Sequence, residues 1–326
     1  MESITPESIV VRLIADKPVR KTPYQVKGVF MKQFSDEKIV PFLDGKLRNK
    51  YLYPRVQVKI LNEQIYIIGL KEGVNPVLSL VDNVKSFNFG NITIGIEKYD
   101  VEENNDQFIP TEKLLRYKFI IPWIALNKST GGKYRFLTDQ EKPLFLNKLL
   151  GLNLLFLSKE LGLDTKSKIY TKVCLDNLTP EKIDENGWGA FTGEFKTNFI
   201  IPNYIGLGNG ITRGYGTLFS LNNPNSLIIE GSKENVDEYI QEDINEEEEE
   251  ELSFVTKDDA PIIKKRKKSN KSKKRYAQNK KRKNTNNNRP YKNTHRTEKN
   301  NQKNTNDLDD DSKFNSAEYH QKQHDL

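Results

Sequence analysis

The chain has 326 residues, with 52 Lys and Arg against 45 Asp and Glu, a formal net charge of +7 and a mean hydropathy of −0.73. Its single cysteine, Cys174, excludes a disulfide framework and a cysteine-rich zinc site. No apolar run approaches the roughly 20 residues that span a bilayer and the N-terminus carries no secretory signal, so a cytoplasmic location is expected.

In chain order, Ile9 to Ile14 is an apolar run of strand character, and Val26 to Phe34 has the spacing of a short helix. Val56 to Ile60 and Ile65 to Ile68 are two strands joined across Asn62-Glu63-Gln64, an antiparallel hairpin. Val77, Leu78, Leu80, Val81 and Val84 fall at helical spacing after Gly73, and Ile92 to Ile96 returns to strand. The order β-α-β-β-α-β is that of a ferredoxin-like unit. The second half is expected to repeat it. Tyr117 to Leu126 reads as a strand interrupted at Pro122, and Leu144 to Leu161 as a long helix stopped by Gly162. Ile169 to Leu175, Phe191 to Ile201 and Tyr215 to Leu221 complete the strands. Cys174, inside the first of these, is read as a small buried core residue. Trp123 and Trp188 are read as packing residues rather than base-stacking ones.

Aromatic and aliphatic residues thin out after about Leu221 and are sparse beyond Val255. The first 222 residues carry 30 basic and 24 acidic side chains, and 223–326 carries 22 and 21. That tail is segregated by sign: Glu230 to Asp259 nets −12, with six consecutive acids at Glu246 to Glu251, and Lys264 to Lys303 nets +17. Blocks of like charge with little to bury are expected to stay disordered. The expected architecture is α+β: two tandem ferredoxin-like (RRM-like) lobes, 1–105 and 106–222, followed by a disordered acidic-then-basic tail over 223–326.

The densest motif is Gly206-Leu207-Gly208-Asn209-Gly210-Ile211-Thr212-Arg213-Gly214-Tyr215-Gly216, five glycines in eleven residues between two strands. Such a segment can turn its amides outward to cradle phosphate, with Arg213 adding a charged fork. The competing reading is a tight connection with no ligand. It is neither a Walker motif nor a dinucleotide fingerprint, because neither flank has the required strand-then-helix context.

Four stretches, in order from about residue 8 to 222, carry a family resemblance. They are the opening strand, Tyr51-Leu52-Tyr53-Pro54-Arg55-Val56-Gln57, Tyr117 to Asn127, and Gly189 to Asn198 leading to Leu207-Gly208 and Arg213-Gly214-Tyr215-Gly216. The body resembles the CRISPR-associated endoribonucleases that cut repeat RNA into guide RNAs, in the superfamily of repeat-associated RNA-binding proteins. The resemblance implies tandem ferredoxin-like lobes, recognition of a repeat hairpin or precursor guide RNA, and association with a CRISPR effector complex. It also implies metal-independent cleavage in which the 2′-hydroxyl attacks the adjacent phosphate, leaving a cyclic phosphate. No cofactor and no metal site are expected. The RNA-binding set is Gly206, Gly208, Gly210, Arg213, Gly214 and Gly216, with Lys196 from the stretch before them.

The chain departs from the family where relatives commonly place a histidine, before the Tyr-x-Tyr-Pro element. Pro41-Phe42-Leu43-Asp44-Gly45 stands there, and the three histidines, His295, His320 and His324, all lie in the tail. Substitutes are Lys46, Arg48 and Lys50 for charge stabilisation, and Tyr24, Tyr51 or Tyr53 for orienting or relaying a proton. Each also reads as an ordinary loop or strand residue. General acid–base help is worth about 10²–10⁴ in rate, so three functions stay open: a repeat-RNA endonuclease, a catalytically silent RNA-binding subunit, and a general RNA-binding factor acting through its tail.

Overall fold

The structure, a computed structural model, describes residues 7–81, 83–105, 107–163, 168–183, 188–221 and 252–259. The N-terminal lobe runs β1 (Ser8–Ala15), α1 (Pro23–Gln33), α2 (Val40–Leu43), β2 (Val56–Leu61), β3 (Gln64–Leu70), α3 (Val74–Val81), β4 (Ser86–Asn88) and β5 (Thr93–Asn104). Its sheet has the order β2-β3-β1-β5-β4 with antiparallel pairing throughout. The ferredoxin-like order is complete in the first four of these strands, and β4 adds an edge.

Local chemistry explains the elements. Thr22 caps α1 by accepting from the Gln25 amide while the Gln25 side chain accepts from the Thr22 amide, and Pro23 opens the first turn. The β2–β3 hairpin turns on Asn62 and Glu63, both left-handed at φ 49° and 57°, the geometry that matches strand twist in a two-residue loop. Along β1 the alternation divides two cores. Ile9, Val11 and Leu13 face α1 and α3, whereas Val10, with Tyr66 and Ile68 of β3, is buried in the core of the second lobe.

The C-terminal lobe runs β6 (Pro110–Ile124), α4 (Lys128–Tyr134), α5 (Glu141–Glu160), β7 (Ile169–Leu175), β8 (Glu181–Lys182), β9 (Trp188–Phe199), β10 (Leu218–Ser220) and β11 (Ser253–Val255). Its sheet has the order β10-β6-β9-β7-β11, with β8 paired to β9. Leu146, Leu150, Leu154 and Leu157 of α5 bury against Tyr117, Phe119, Val173 and Phe195. Trp123 is fully buried and stacks on Phe119 at 5.4 Å, in keeping with a packing role.

Three expectations are corrected. The second lobe repeats the ferredoxin-like strand order, but no second crossover helix follows β9. Residues 200–217 occupy that connection, with only a short 3₁₀ turn at Ile211–Arg213. Cys174 is exposed, because Thr171 and Val173 take the core-facing positions of β7 and leave Cys174 on the outer face. Within the tail expected to be disordered, Ser253–Val255 forms a strand paired antiparallel with Thr171 to Ile169. Val255, 1% exposed, seats against Gly151 of α5, where any side chain would collide with it. The poly-Glu run, the basic block and the three histidines lie outside the described residues. Among the described residues no helix is long and apolar enough to cross a membrane.

Candidate functional site

The Tyr-x-Tyr-Pro segment and the glycine loop meet where the lobes join. Tyr53, 1% exposed, donates its hydroxyl hydrogen to the Gly206 oxygen at 2.7 Å. The Gln57 side chain donates to the Tyr53 oxygen at 3.1 Å and accepts from the Gly206 amide at 2.9 Å. A carboxylate oxygen of Glu160, at the end of α5, accepts from the Leu52 and Tyr53 amides at 2.9 and 3.3 Å. Arg55 donates to the Glu160 and Tyr53 carbonyl oxygens and to the Glu72 carboxylate. Burial pushes the Tyr53 phenol far above its ordinary range. Tyr53 is therefore an interlobe latch, and its expected role as a proton relay is withdrawn.

The glycine loop is built differently from the expected phosphate cradle. The amides of Leu207, Asn209 and Gly216 donate to the carbonyls of Gly216, Ile124 and Pro122, and those of Arg213, Gly214 and Tyr215 to Gly210, Ile211 and Gly210. With the Gly206 amide on Gln57, most of the motif's donors are engaged within the protein. Gly208 shows why the residue type matters: at φ +80°, a Cβ there would lie 2.6 Å from the Trp123 indole nitrogen. These glycines let the loop wedge between β6 and the N-terminal lobe. Asn209, Thr212 and Arg213 remain exposed at its apex, and the Arg213 guanidinium lies 5.2 Å from the Tyr215 ring centre.

Two buried amines that sequence reasoning missed support this apex. Lys27 of α1, 8% exposed, donates to the Thr212 oxygen at 3.2 Å, and Lys59 of β2, 1% exposed, donates to the Ile211 oxygen at 3.4 Å. Burial lowers Lys27 to about 8. Burial, and secondarily the nearby Lys27 charge, lowers Lys59 to about 7. Lys27 also lies 5.3 Å from the ring centre of half-buried Tyr24, and a side chain on Gly214 would touch Pro23. The first turn of α1 thus abuts the glycine apex. The only local signal was Lys27 standing among Val26, Val29 and Phe30 on the buried face of α1.

The other expected residues lie around this junction or away from it. Lys46, Arg48 and Lys50 are exposed on the connection from α2 to β2, where Lys46 pairs with Asp44 at 3.0 Å. Tyr51 stacks on Phe42 at 6.0 Å, with Lys50 and Arg55 at 5.0 and 4.8 Å from its ring centre. Hydrogen bonding to Tyr51 holds the Lys50 amine above its ordinary value. Lys196 faces outward from β9, opposite the core that holds Leu207. It is in register with Arg116 on β6 and Lys172 on β7, a row of three basic residues in which Arg116 is paired with Glu194 at 2.8 Å.

Residues 7–107 match the Cas6b N-terminal domain and 109–221 the Cas6b C-terminal domain. A crystal structure of Cas6b is 31% identical, with a TM-score of 0.56 over 66% of this chain and 98% of that one. Another, described as the CRISPR RNA processing endoribonuclease Cas6b, is 28% identical with a TM-score of 0.49 over 66% and 100%. An uncharacterised protein of Methanocaldococcus jannaschii is 35% identical over 113 residues, 35% of this chain and 77% of that protein. The chain belongs to the Cas6b family of CRISPR RNA processing proteins.

Proposed function

We propose that this chain binds the repeat hairpin of a precursor CRISPR RNA and cuts it without a metal ion. The 2′-hydroxyl attacks the adjacent phosphate and leaves a cyclic phosphate and a 5′-hydroxyl. The observation that carries the reading is the junction of α1 with the glycine apex, where Lys27, beside Tyr24, holds the Thr212 carbonyl and Lys59 the Ile211 carbonyl, next to Arg213. Arg213 suits a phosphate oxygen through its planar fork, and Lys46, Arg48 and Lys50 add positive potential on the connection from α2 to β2. The basic row Arg116–Lys196–Lys172 supports a further backbone contact on the outer face of the second sheet.

A second reading is favoured by one specific observation. Residues 1–294 contain no histidine, which fits a silent subunit that holds RNA for an effector complex. Incubating the full chain with a hairpin repeat RNA in excess chelator separates the two. One cut ending in a cyclic phosphate supports the nuclease. Tight binding with no product supports the silent subunit, and failure to bind the hairpin above a scrambled RNA removes both.

A further inference from the structure

We propose that Lys27 takes the 2′-hydroxyl proton in the cleavage step, with Lys59 behind it as a positioning residue. The inference rests on reading the chain as a metal-independent ribonuclease and names the group that replaces the missing histidine.

The step needs a group that is partly unprotonated near neutral pH and lies beside a phosphate-binding cation. Around the glycine apex the choices are few. An arginine keeps its proton at any working pH, and a phenol ordinarily titrates near about 10. An exposed lysine is unprotonated in well under about 1% of molecules at neutral pH. Lys27 differs because its hydrogen-bond partner is the neutral Thr212 carbonyl rather than a carboxylate, and its side chain is buried. Burial alone brings it to about 8, so the free amine is well populated at mildly alkaline pH.

Lys59 supports the same loop. It reaches the adjacent carbonyl, Ile211, from β2 on the far side of the loop, and its burial keeps it from RNA. The Lys27 charge disfavours a second ammonium on the neighbouring carbonyl, so Lys59 is neutral where Lys27 titrates and acts by holding the loop through Ile211. The groups facing Lys27 are Tyr24 on its own helix, Lys59 on β2, and the Ile211 and Thr212 carbonyls with Arg213 on the loop. None of these groups is a carboxylate, and burial outweighs the pull of the carbonyls and the Tyr24 ring toward the ammonium.

The atoms balance without a co-reactant. The O2′–H proton passes to Lys27 Nζ, and the freed pair forms the O2′–P bond. The P–O5′ bond breaks, O5′ keeps its pair and takes a proton from water, and the Lys27 ammonium returns its proton to solvent.

The test uses the full chain, a hairpin repeat RNA and single-turnover cleavage in chelator across mildly acid to alkaline pH. Lys27→Met and Lys27→Arg are each expected to lose about 10²-fold or more in rate while binding RNA within a few-fold of wild type. Lys59→Met is expected to lower the plateau rate through the loop it holds, with RNA binding and the acid limb of the profile unchanged. A Lys27→Arg protein that cuts at wild-type rate would show that charge alone is needed and would overturn the proposal. A wild-type plateau rate in Lys59→Met would overturn the role of Lys59. The Lys27 ε-carbon NMR shift, titrated without RNA, reads the amine independently of cutting, and titration at the ordinary lysine position overturns the inference. A wild-type chain that binds but never cuts fails the nuclease reading itself, before any variant is made.

Discussion

Tyr53 and Gly206, 153 residues apart, are joined by a 2.7 Å hydrogen bond from the phenol to the main-chain oxygen. Gln57 closes the ring by bonding both partners. This small network fixes where the glycine loop sits relative to α1, and hence where Arg213 and Lys27 meet. Removing only the hydroxyl, in Tyr53→Phe, leaves the Gly206 carbonyl and the Gln57 amide short of a partner inside the protein. A loss of about 1–3 kcal/mol is expected in urea denaturation, with a parallel fall in cleavage rate. Unchanged stability would mean that the latch carries no energetic weight.

Two glycines should respond in opposite directions to the same change. Gly208 sits at φ +80° with the Trp123 indole and the Ile124 carbonyl where a Cβ would go. Gly208→Ala is expected to cost at least the ~1–2 kcal/mol of a left-handed non-glycine residue, and more from the collision. Gly28 lies within α1 with nothing within 4 Å of its would-be Cβ. Gly28→Ala should stabilise by about 0.5–1 kcal/mol through helix propensity. Thermal melts of the two proteins decide both signs.

Lys59 makes stability depend on pH. Its amine is lowered to about 7 in the folded protein, whereas an unfolded lysine titrates near about 10.4. Between these values the unfolded chain holds a proton that the folded chain has shed, so stability rises with pH. The slope approaches that of one proton, a little over ~1 kcal/mol per pH unit. Below about 7 the burial penalty is present in full. Lys59→Met should be more stable than wild type at neutral pH and should flatten this slope, as read from urea midpoints at several pH values. A wild-type slope in the variant would show that Lys59 is not its source.

The strand β11 belongs energetically to the second lobe. Ending the chain after Leu221 removes Val255 from its seat on Gly151 and bares the β7 edge, whereas ending it after Asp259 keeps both. The shorter protein is expected to be less stable by about 1.5–3 kcal/mol, the worth of one buried valine side chain. It should also associate more readily through the open edge. Equal melting temperatures and equal sedimentation would rule this out.

The acidic run Glu246 to Glu251 precedes the basic block from Lys264 and is expected to compete with RNA for its lysines. Both lie outside the described residues. Deleting the six glutamates should tighten nonspecific RNA binding at low salt and leave hairpin-specific binding at high salt unchanged. Equal low-salt affinity would remove the competition.

The sequence by itself determined the elements whose signal is local. The apolar run Ile9 to Ile14 and the leucine stripe of α5 with Gly162 behind it are each complete within one stretch of chain. Propensity and periodicity therefore suffice to read them. The ferredoxin-like order of the first lobe follows from their succession. Tertiary structure decided what depends on which surfaces meet. In sequence, Lys59 is one polar residue in an alternating strand and belongs equally to a solvated face. Only the second lobe, docked on that face, turns it into a buried amine on Ile211. The glycine motif was legible as a flexible turn, but its amides' partners come from Gln57, Pro122 and Ile124, far away along the chain. Residues 252–259 show the same limit, because a three-residue strand carries too little local signal and gains its place from the β7 edge and Gly151. Hydrogen bonds and burial between distant segments leave no periodic trace in either segment alone, so the latch and the lysine pair emerge only once the chain is folded.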